Sequence, residues 1–322
     1  MKIYREMSIA GELAKIPALS KAESYARDGN YEGACAQVLR FLEDDPDPRL
    51  APFAGRLTVE WMVQMGKIDQ ALERARECVA QGTALWGITD ERTLVLRNTE
   101  MYWTGQAGHH RRARSQADQL VQDALAYLPD QDQLGYAIRN NAARIYETDS
   151  SPQRAMQTYR ALLDDFESWG DQDGAAAFST RHNYAQFLRD CGQFPEALRL
   201  LQHQLLLLTQ LLGESSNEAL YTRHEAAVVS LLAGDADTAV QQWEGLWRDC
   251  EQYLEPGHAL TIEVLGSLLS HSIATNDRLA VVDWCNRLLQ ARSHRDEPEL
   301  RRAIERLRNQ YLEQLQPETP SH

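Results

Sequence analysis

The stretch TRHNYAQFLRDCGQFPEAL, residues 180–198, returns 42 residues later as TRHEAAVVSLLAGDADTAV, residues 222–240. In both copies a glycine is followed five residues later by an alanine. The pair occurs as Gly29–Ala34, Gly66–Ala71, Gly108–Ala113, Gly192–Ala197 and Gly234–Ala239, with degenerate copies at Ser150–Ala155 and Asn276–Val281. The step is 42 residues from Gly66 onward and 37 before it. Seven units in register indicate an internal repeat, since chance rarely keeps such a spacing.

Each unit has the pattern of a helical hairpin, with a first or A helix and a second or B helix. The glycine ends the A helix in a left-handed conformation, which glycine adopts at the lowest cost and asparagine next. The alanine lies early in the B helix, opposite a column seven residues before the glycine: Ala22, Val59, Met101, Ala143, Ala185, Ala227 and Leu269. Since one hairpin cannot bury its own apolar face, the pattern predicts an all-α stack of hairpins, an α-solenoid.

Composition excludes several classes of function. The chain has 33 basic and 47 acidic residues and a net charge of -14, so we expect no nucleic-acid surface, which needs excess Lys and Arg. No run approaches the roughly 18 apolar residues of a membrane helix, and the first residues lack the apolar core of a secretion signal. Five scattered cysteines without CxxC pairs are typical of free thiols in a reducing compartment. We therefore expect a cytoplasmic protein.

The best-preserved unit also matches a known repeat. Its matching residues are Thr180, Arg181, His182, Asn183, Ala185, Leu188, Gly192, Phe194, Glu196 and Ala197, and the preceding unit adds Arg139, Asn140, Asn141 and Ala143. A period near 42 also suits HEAT or armadillo arrays, but this pattern resembles the tetratricopeptide repeat (TPR) in its longer, kinesin-light-chain-like bacterial variety. The resemblance implies a right-handed superhelix of about seven TPR-like repeats with a C-terminal capping helix.

The domain prediction follows from the repeat. We expect a lead-in or capping helix over 1–16, the array over 17–290, a capping helix over 297–315 and a disordered tail over 316–322. The last helix has Leu300, Ile304, Leu307, Tyr311 and Leu315 at helical spacing, as expected of a helix that covers the end of a core. Whether a terminal helix fills the groove of the array is left open by the sequence.

The candidate binding residues lie on the A helices, which line the concave groove in this repeat family. They are Asn98, Tyr102, Asn140, Asn141, Arg144, His182, Asn183, Gln186, Arg189 and His224. An amide side chain can donate to a peptide carbonyl and accept from a peptide N–H, so paired asparagines can hold an extended chain of any sequence. In the family, asparagines at these positions contact bound peptides. The alternative is that they only solvate an empty groove or bond to neighbouring repeats.

An arginine recurs beside this column, at Arg97, Arg139, Arg181 and Arg223. That position faces the B helix, so we expect partly buried side chains that need a carboxylate or loop carbonyls. Acidic residues of the preceding loops are the expected partners: Glu91, Asp132, Asp173 and Glu218. A structural arginine ladder is therefore the leading interpretation, and an anion track for an acidic partner is the alternative.

No catalytic motif stands out, and we expect no enzyme activity, no cofactor and no metal. His182 and His224 occupy equivalent positions in adjacent repeats, about 10 Å apart, which is too far for zinc, whose ligand atoms lie about 2 Å from the ion. The sequence favours a scaffold or adaptor that binds a protein or peptide. The alternative is a peptide-sensing regulator that acts in trans on a transcriptional or ATPase switch, and an enzyme on a solenoid is a remote third. Neither the partner nor the oligomeric state follows from the sequence.

Overall fold

The computed structural model describes residues 13, 15–44, 47–148, 152–292 and 298–315, and within them the chain forms fifteen α-helices and no strand. The helices are α1 (Pro17–Arg27), α2 (Tyr31–Glu43), α3 (Ala51–Gln64), α4 (Ile68–Trp86), α5 (Glu91–Gln106), α6 (His110–Tyr127), α7 (Gln133–Tyr146), α8 (Gln153–Ser168), α9 (Ala175–Asp190), α10 (Phe194–Leu212), α11 (Asn217–Leu232), α12 (Ala236–Tyr253), α13 (Ala259–Ala274), α14 (Arg278–Ala291) and α15 (Pro298–Leu315). The A helices carry odd numbers up to α13, and the B helices carry even numbers.

The chain divides into two compact units within α9, one ending at Thr180 and the other beginning at Arg181. In unit 1 each helix from α1 to α7 packs against the next, and the A helices α3, α5 and α7 also contact one another in sequence. Their common surface is called here the A-helix face of unit 1. In unit 2 each helix from α10 to α14 packs against the next.

The hairpin turns are made where the repeated glycine stands. Six of the seven turn residues are described, and all have a positive φ: Gly29, Gly66, Gly108, Gly192, Gly234 and Asn276. At Gly192 the next amide, of Gln193, donates back to the carbonyl of Leu188 at 2.8 Å, which satisfies a carbonyl at the helix end. Asn276 has φ 55° and makes the same turn without being glycine. The seventh turn residue, Ser150, lies outside the described residues.

The two small-residue columns form the centre of each hairpin. In the B-helix column Ala34, Ala71, Ala113, Ala155, Ala197, Ala239 and Val281 are all 0% exposed. The opposing A-helix column is also buried, from Ala22 at 0% to Leu269 at 8% exposed. The small side chains of the B-helix column allow the two helices to approach closely, and larger apolar residues fill the space between successive hairpins. In unit 2 this core includes Trp243, Leu246 and Val264.

The last helix, α15, packs on α14. Ile304 is buried, and Leu307 and Tyr311 are partly buried against the core of unit 2. The expectation that Leu300 and Leu315 would also face this core was wrong, because they are 42% and 37% exposed at the two ends of the helix. The predicted N-terminal helix over 1–16 lies mostly outside the described residues, and the predicted disordered tail over 316–322 lies wholly outside them.

Candidate functional site

The A-helix face of unit 1 brings two of the predicted amides together. Asn98 of α5 and Asn141 of α7 lie in adjacent repeats, and Asn141 Nδ2 donates to Asn98 Oδ1 at 3.1 Å. This bond fixes the orientation of both amides. It leaves the Asn98 Nδ2 hydrogens as donors and the Asn141 Oδ1 as an acceptor, the two groups that a peptide bond can pair with. Asn140, also predicted, is half-buried on α7 and has other contacts.

A cavity of about 310 Å³ opens beside this amide pair. It is lined by Arg56, Glu60, Asn98, Thr99, Tyr102, Trp103 and Asn141. Of the predicted residues, Tyr102 lies against Trp103 with ring centroids 5.0 Å apart in an edge-on arrangement, so the cavity has a rigid aromatic wall. The cavity thus combines an aromatic surface, an amide donor and acceptor, and one charge of each sign.

Arg56 was missed by the sequence analysis, although it stands 42 residues before Asn98 in the same column. It is half-buried, forms no ion pair with any described residue, and its Nε is buried without a hydrogen-bond acceptor in the described part of the chain. A buried guanidinium N–H without an acceptor is costly, and a ligand oxygen would relieve that cost. Arg144, predicted two repeats further along, is also half-buried. Burial and the neighbouring Glu147 raise the pKa of Tyr159, and the charge of Arg144 only partly opposes this.

In unit 2 the half-buried carboxylate of Glu225 bonds to two of the predicted residues. Glu225 of α11 accepts from Gln186 Nε2 at 2.9 Å and lies 3.0 Å from His182 Nδ1. Burial raises the pKa of Glu225, but the bonds from His182 and Gln186 together with the charge of Arg189 outweigh it, so the pKa is lowered overall. Glu225 therefore stays ionised, and it already engages two side chains that the sequence assigned to a ligand.

The other predicted residues of unit 2 differ in burial and in the contacts that they already make. The ring of His224 lies 6.3 Å from that of Trp243, and its Nδ1 is buried without a partner among the described residues. Burial lowers the pKa of His224, and nearby Glu263 and Glu225 only partly offset this. Arg189 pairs at 2.9 Å with the exposed Asp190, and Asn183 is half-buried with further contacts.

Three of the four ladder arginines make ion pairs with their own B helices. Arg97 lies 2.7 Å from Asp123, Arg139 lies 2.5 Å from Asp165 and Arg223 lies 2.7 Å from Asp249. In each pair the carboxylate stands 26 residues after the arginine, near the end of the B helix. We call each pair a rung. Arg181, the fourth ladder residue, is 3% exposed.

The prediction that loop carboxylates pair with the ladder was wrong for these three arginines. Arg97 reaches the preceding loop through the Ile88 carbonyl, to which its Nη1 donates at 2.9 Å. Asp132 instead caps its helix, because its side chain accepts from the backbone N–H groups of Leu134 and Gly135. The carboxylate near the end of the B helix is the one within ion-pair distance of each of these arginines, so each rung ties the two helices of one hairpin together.

Within the described residues no group of three or more His, Cys, Asp or Glu side chains is arranged to hold a metal ion. None of the described helices has the length and apolarity needed to span a membrane.

No protein-family model and no curated protein matches the sequence. Among solved structures, a kinesin-light-chain protein with nearly identical TPR-like repeats from Podosopora anserina is similar over 64% of this chain and 96% of its own, with 18% identity and a TM-score of 0.57. The apo quorum sensor NprR from B. thuringiensis is similar over 97% and 92%, with 12% identity and a TM-score of 0.55.

A third similar structure is a STAND signal-transduction ATPase with a tetratricopeptide repeat sensor from Pyrococcus horikoshii. The match covers 96% of this chain and 48% of that one, at 12% identity and a TM-score of 0.62. At such identities the likeness concerns the fold. The chain therefore has the fold of the TPR-like helical-repeat proteins, which include kinesin-light-chain-like and bacterial arrays.

Proposed function

We propose that the chain is a non-catalytic binding protein that holds an extended peptide segment of a partner on the A-helix face of unit 1. The observation that carries the proposal is the cavity where the bonded pair Asn98–Asn141 adjoins Arg56. Asn98 Nδ2 would donate to a peptide carbonyl and Asn141 Oδ1 would accept from a peptide N–H. These bonds involve only the peptide backbone, so the contact fixes the path of the peptide and leaves its sequence to the surrounding side chains.

Arg56, Tyr102 and Trp103 would supply the side-chain selectivity. The aromatic wall of Tyr102 and Trp103 suits an apolar or flat side chain of the peptide. Arg56 suits an oxygen acceptor, because its Nε has none among the described residues. In unit 2 the predicted contacts His182, Gln186, Arg189 and His224 remain a proposal, and a ligand there would have to share them with Glu225, Asp190 or the core.

The test is a photo-crosslinking experiment on the A-helix face. A benzophenone amino acid at Thr99 should crosslink a partner peptide from native lysate, and Asn98→Ala/Asn141→Ala should abolish the adduct because both backbone bonds are lost. Gln157→Ala, an exposed amide on the B helix α8, is the matched control and should leave the adduct unchanged. Circular dichroism must show that all variants are folded. The same adduct from the double variant would place the partner elsewhere on the chain.

A second candidate is a peptide-sensing regulator that acts on its target in trans. It is favoured by the match to NprR over nearly the whole of both chains, since NprR is a quorum sensor that has a structure in complex with its cognate peptide NprX. Saturable binding of a short free peptide together with a change in affinity for a second protein supports this candidate. A stable stoichiometric complex that needs no small peptide supports the scaffold.

A further inference from the structure

The rung is missing from the last hairpin. The residues that stand 42 positions after Arg223 and Asp249 are Leu265 of α13 and Ala291 of α14, and they cannot form an ion pair. A cavity of about 350 Å³ lies at this place, lined by both of these residues and by residues of α12 and of the loop that follows it. This cavity, which we call the open-rung cavity, lies wholly within unit 2 and involves none of the residues of the A-helix face.

The walls of the open-rung cavity are apolar and its exposed lining is acidic. Trp247, Leu254 and Leu265 supply the apolar surface. Glu251 and Glu255 also line it and are exposed to solvent. Arg287 lies 4.1 Å from the ring centroid of Trp247 and pairs with Asp283 at 2.8 Å, so its positive charge is already balanced. The net charge presented to a ligand is therefore negative.

The preceding hairpin contains an equivalent cavity, in which the ladder residue Arg223 supplies a positive charge. A space of about 340 Å³ there is lined by Leu205, Thr209, Glu214, Arg223, Asp249 and Tyr253. Leu205 and Thr209 stand 42 residues before Trp247 and Glu251, so the two sites are equivalent. In the first site the guanidinium of Arg223 is held by Asp249 at 2.7 Å. In the second site Leu265 stands in place of Arg223, the guanidinium that the described lining does contain, that of Arg287, is paired with Asp283, and carboxylates are present at Glu251 and Glu255.

We propose that the open-rung cavity receives an arginine side chain from a basic segment of a partner protein. The aliphatic part of that side chain would lie on Leu254 and Leu265, and the guanidinium would pair with Glu251 and Glu255. Trp247, whose indole Nε1 has no acceptor among the described residues, lies in the wall of the cavity and can report on its occupancy. The site thus replaces an internal rung by an intermolecular one.

The experiment uses the full chain and the capped peptide acetyl-Gly-Arg-Gly-amide as the probe. The indole N–H resonance of Trp247, assigned with Trp247→Phe, should shift saturably with the peptide. Glu251→Gln/Glu255→Gln should weaken the interaction by about ten-fold, because both charge partners are lost. Glu244→Gln, on the same helix but outside the cavity, should leave it unchanged. Leu265→Arg/Ala291→Asp should restore the rung, keep the fold and abolish the shift.

Several outcomes would overturn the proposal. One is no shift of the Trp247 resonance at the highest soluble peptide concentration. Another is an equal shift with acetyl-Gly-Glu-Gly-amide, since that peptide carries the opposite charge. A third is unchanged affinity in the double glutamine variant, which decides the matter even where the rung-restoring variant does not fold.

Discussion

Removing one side of a rung should destabilise the protein far more than removing both. In the Arg97–Asp123 rung the two side chains are only 12% and 13% exposed, and Arg97 also donates to the Ile88 carbonyl. Breaking a fully buried ion pair costs about 3–5 kcal/mol, whereas an exposed pair contributes about 0–1 kcal/mol. At this burial we expect Arg97→Met to lower the free energy of unfolding by about 2–3 kcal/mol, because Asp123 is left as an unpaired, mostly buried charge.

The double variant Arg97→Met/Asp123→Leu should recover most of that loss, to within about 1 kcal/mol of the wild type, since apolar pairs of similar size replace buried ion pairs at little cost. The assay is urea unfolding followed by circular dichroism, with the first transition compared where the array unfolds in steps. Arg248→Met is the control, because Arg248 is 67% exposed and lies 3.8 Å from Glu244. A loss below about 0.5 kcal/mol for the single variant, or an equal loss for the double, would refute the structural role of the rung.

Two further predictions concern the turns and the response to pH. Gly192→Ala should lower the free energy of unfolding by about 1–2 kcal/mol, because φ is +73° there. Asn276→Gly, at φ 55°, should be neutral or slightly stabilising. Thermal unfolding of both variants checks this, and equal losses of stability would contradict it. Burial lowers the pKa of His224 from 6.5, so its contribution to stability is complete above pH 6.5 and is lost as pH falls from there toward the lowered value. His224→Asn should therefore flatten the decline of the melting temperature below pH 6.5, whereas His203→Asn, at an exposed position, should not.

Much of the fold could be predicted because its determinants are local. A left-handed turn favours glycine or asparagine, and a close helix crossing requires a small side chain. The structural roles of Gly192 and Ala197 can therefore be predicted from the sequence alone. The ion-pair partners of the ladder arginines were harder to predict, since they depend on how far the B helix runs back along the A helix. The signal was nevertheless present: Asp123, Asp165 and Asp249 recur at the same distance of 26 residues from their arginines.

The binding site was harder to predict than the fold. Arg56 was not predicted as a binding residue because its repeat is degenerate, with Gly55 where the ladder arginine stands in later units. The hydrogen bonds that Gln186 and His182 make with Glu225 depend on side-chain rotamers and on the separation of α9 and α11, neither of which the repeat pattern specifies. A column of equivalent positions identifies a surface, but it does not say which side chains on that surface are already bonded to each other.

The A-helix face of unit 1 and the A-helix residues of unit 2 differ in how many of their hydrogen-bonding groups are already used, and this decides where a ligand gains binding free energy. In unit 1 the bond between Asn98 and Asn141 uses one acceptor and one donor hydrogen and leaves both residues able to bind a peptide. In unit 2 Glu225 holds Gln186 and His182, so a ligand must first replace bonds that each contribute about 1 kcal/mol. A ligand gains most where its bonds displace none of the protein's own. Binding by the chain should therefore be more sensitive to substitutions at Asn98 and Asn141 than to substitutions at His182 and Gln186.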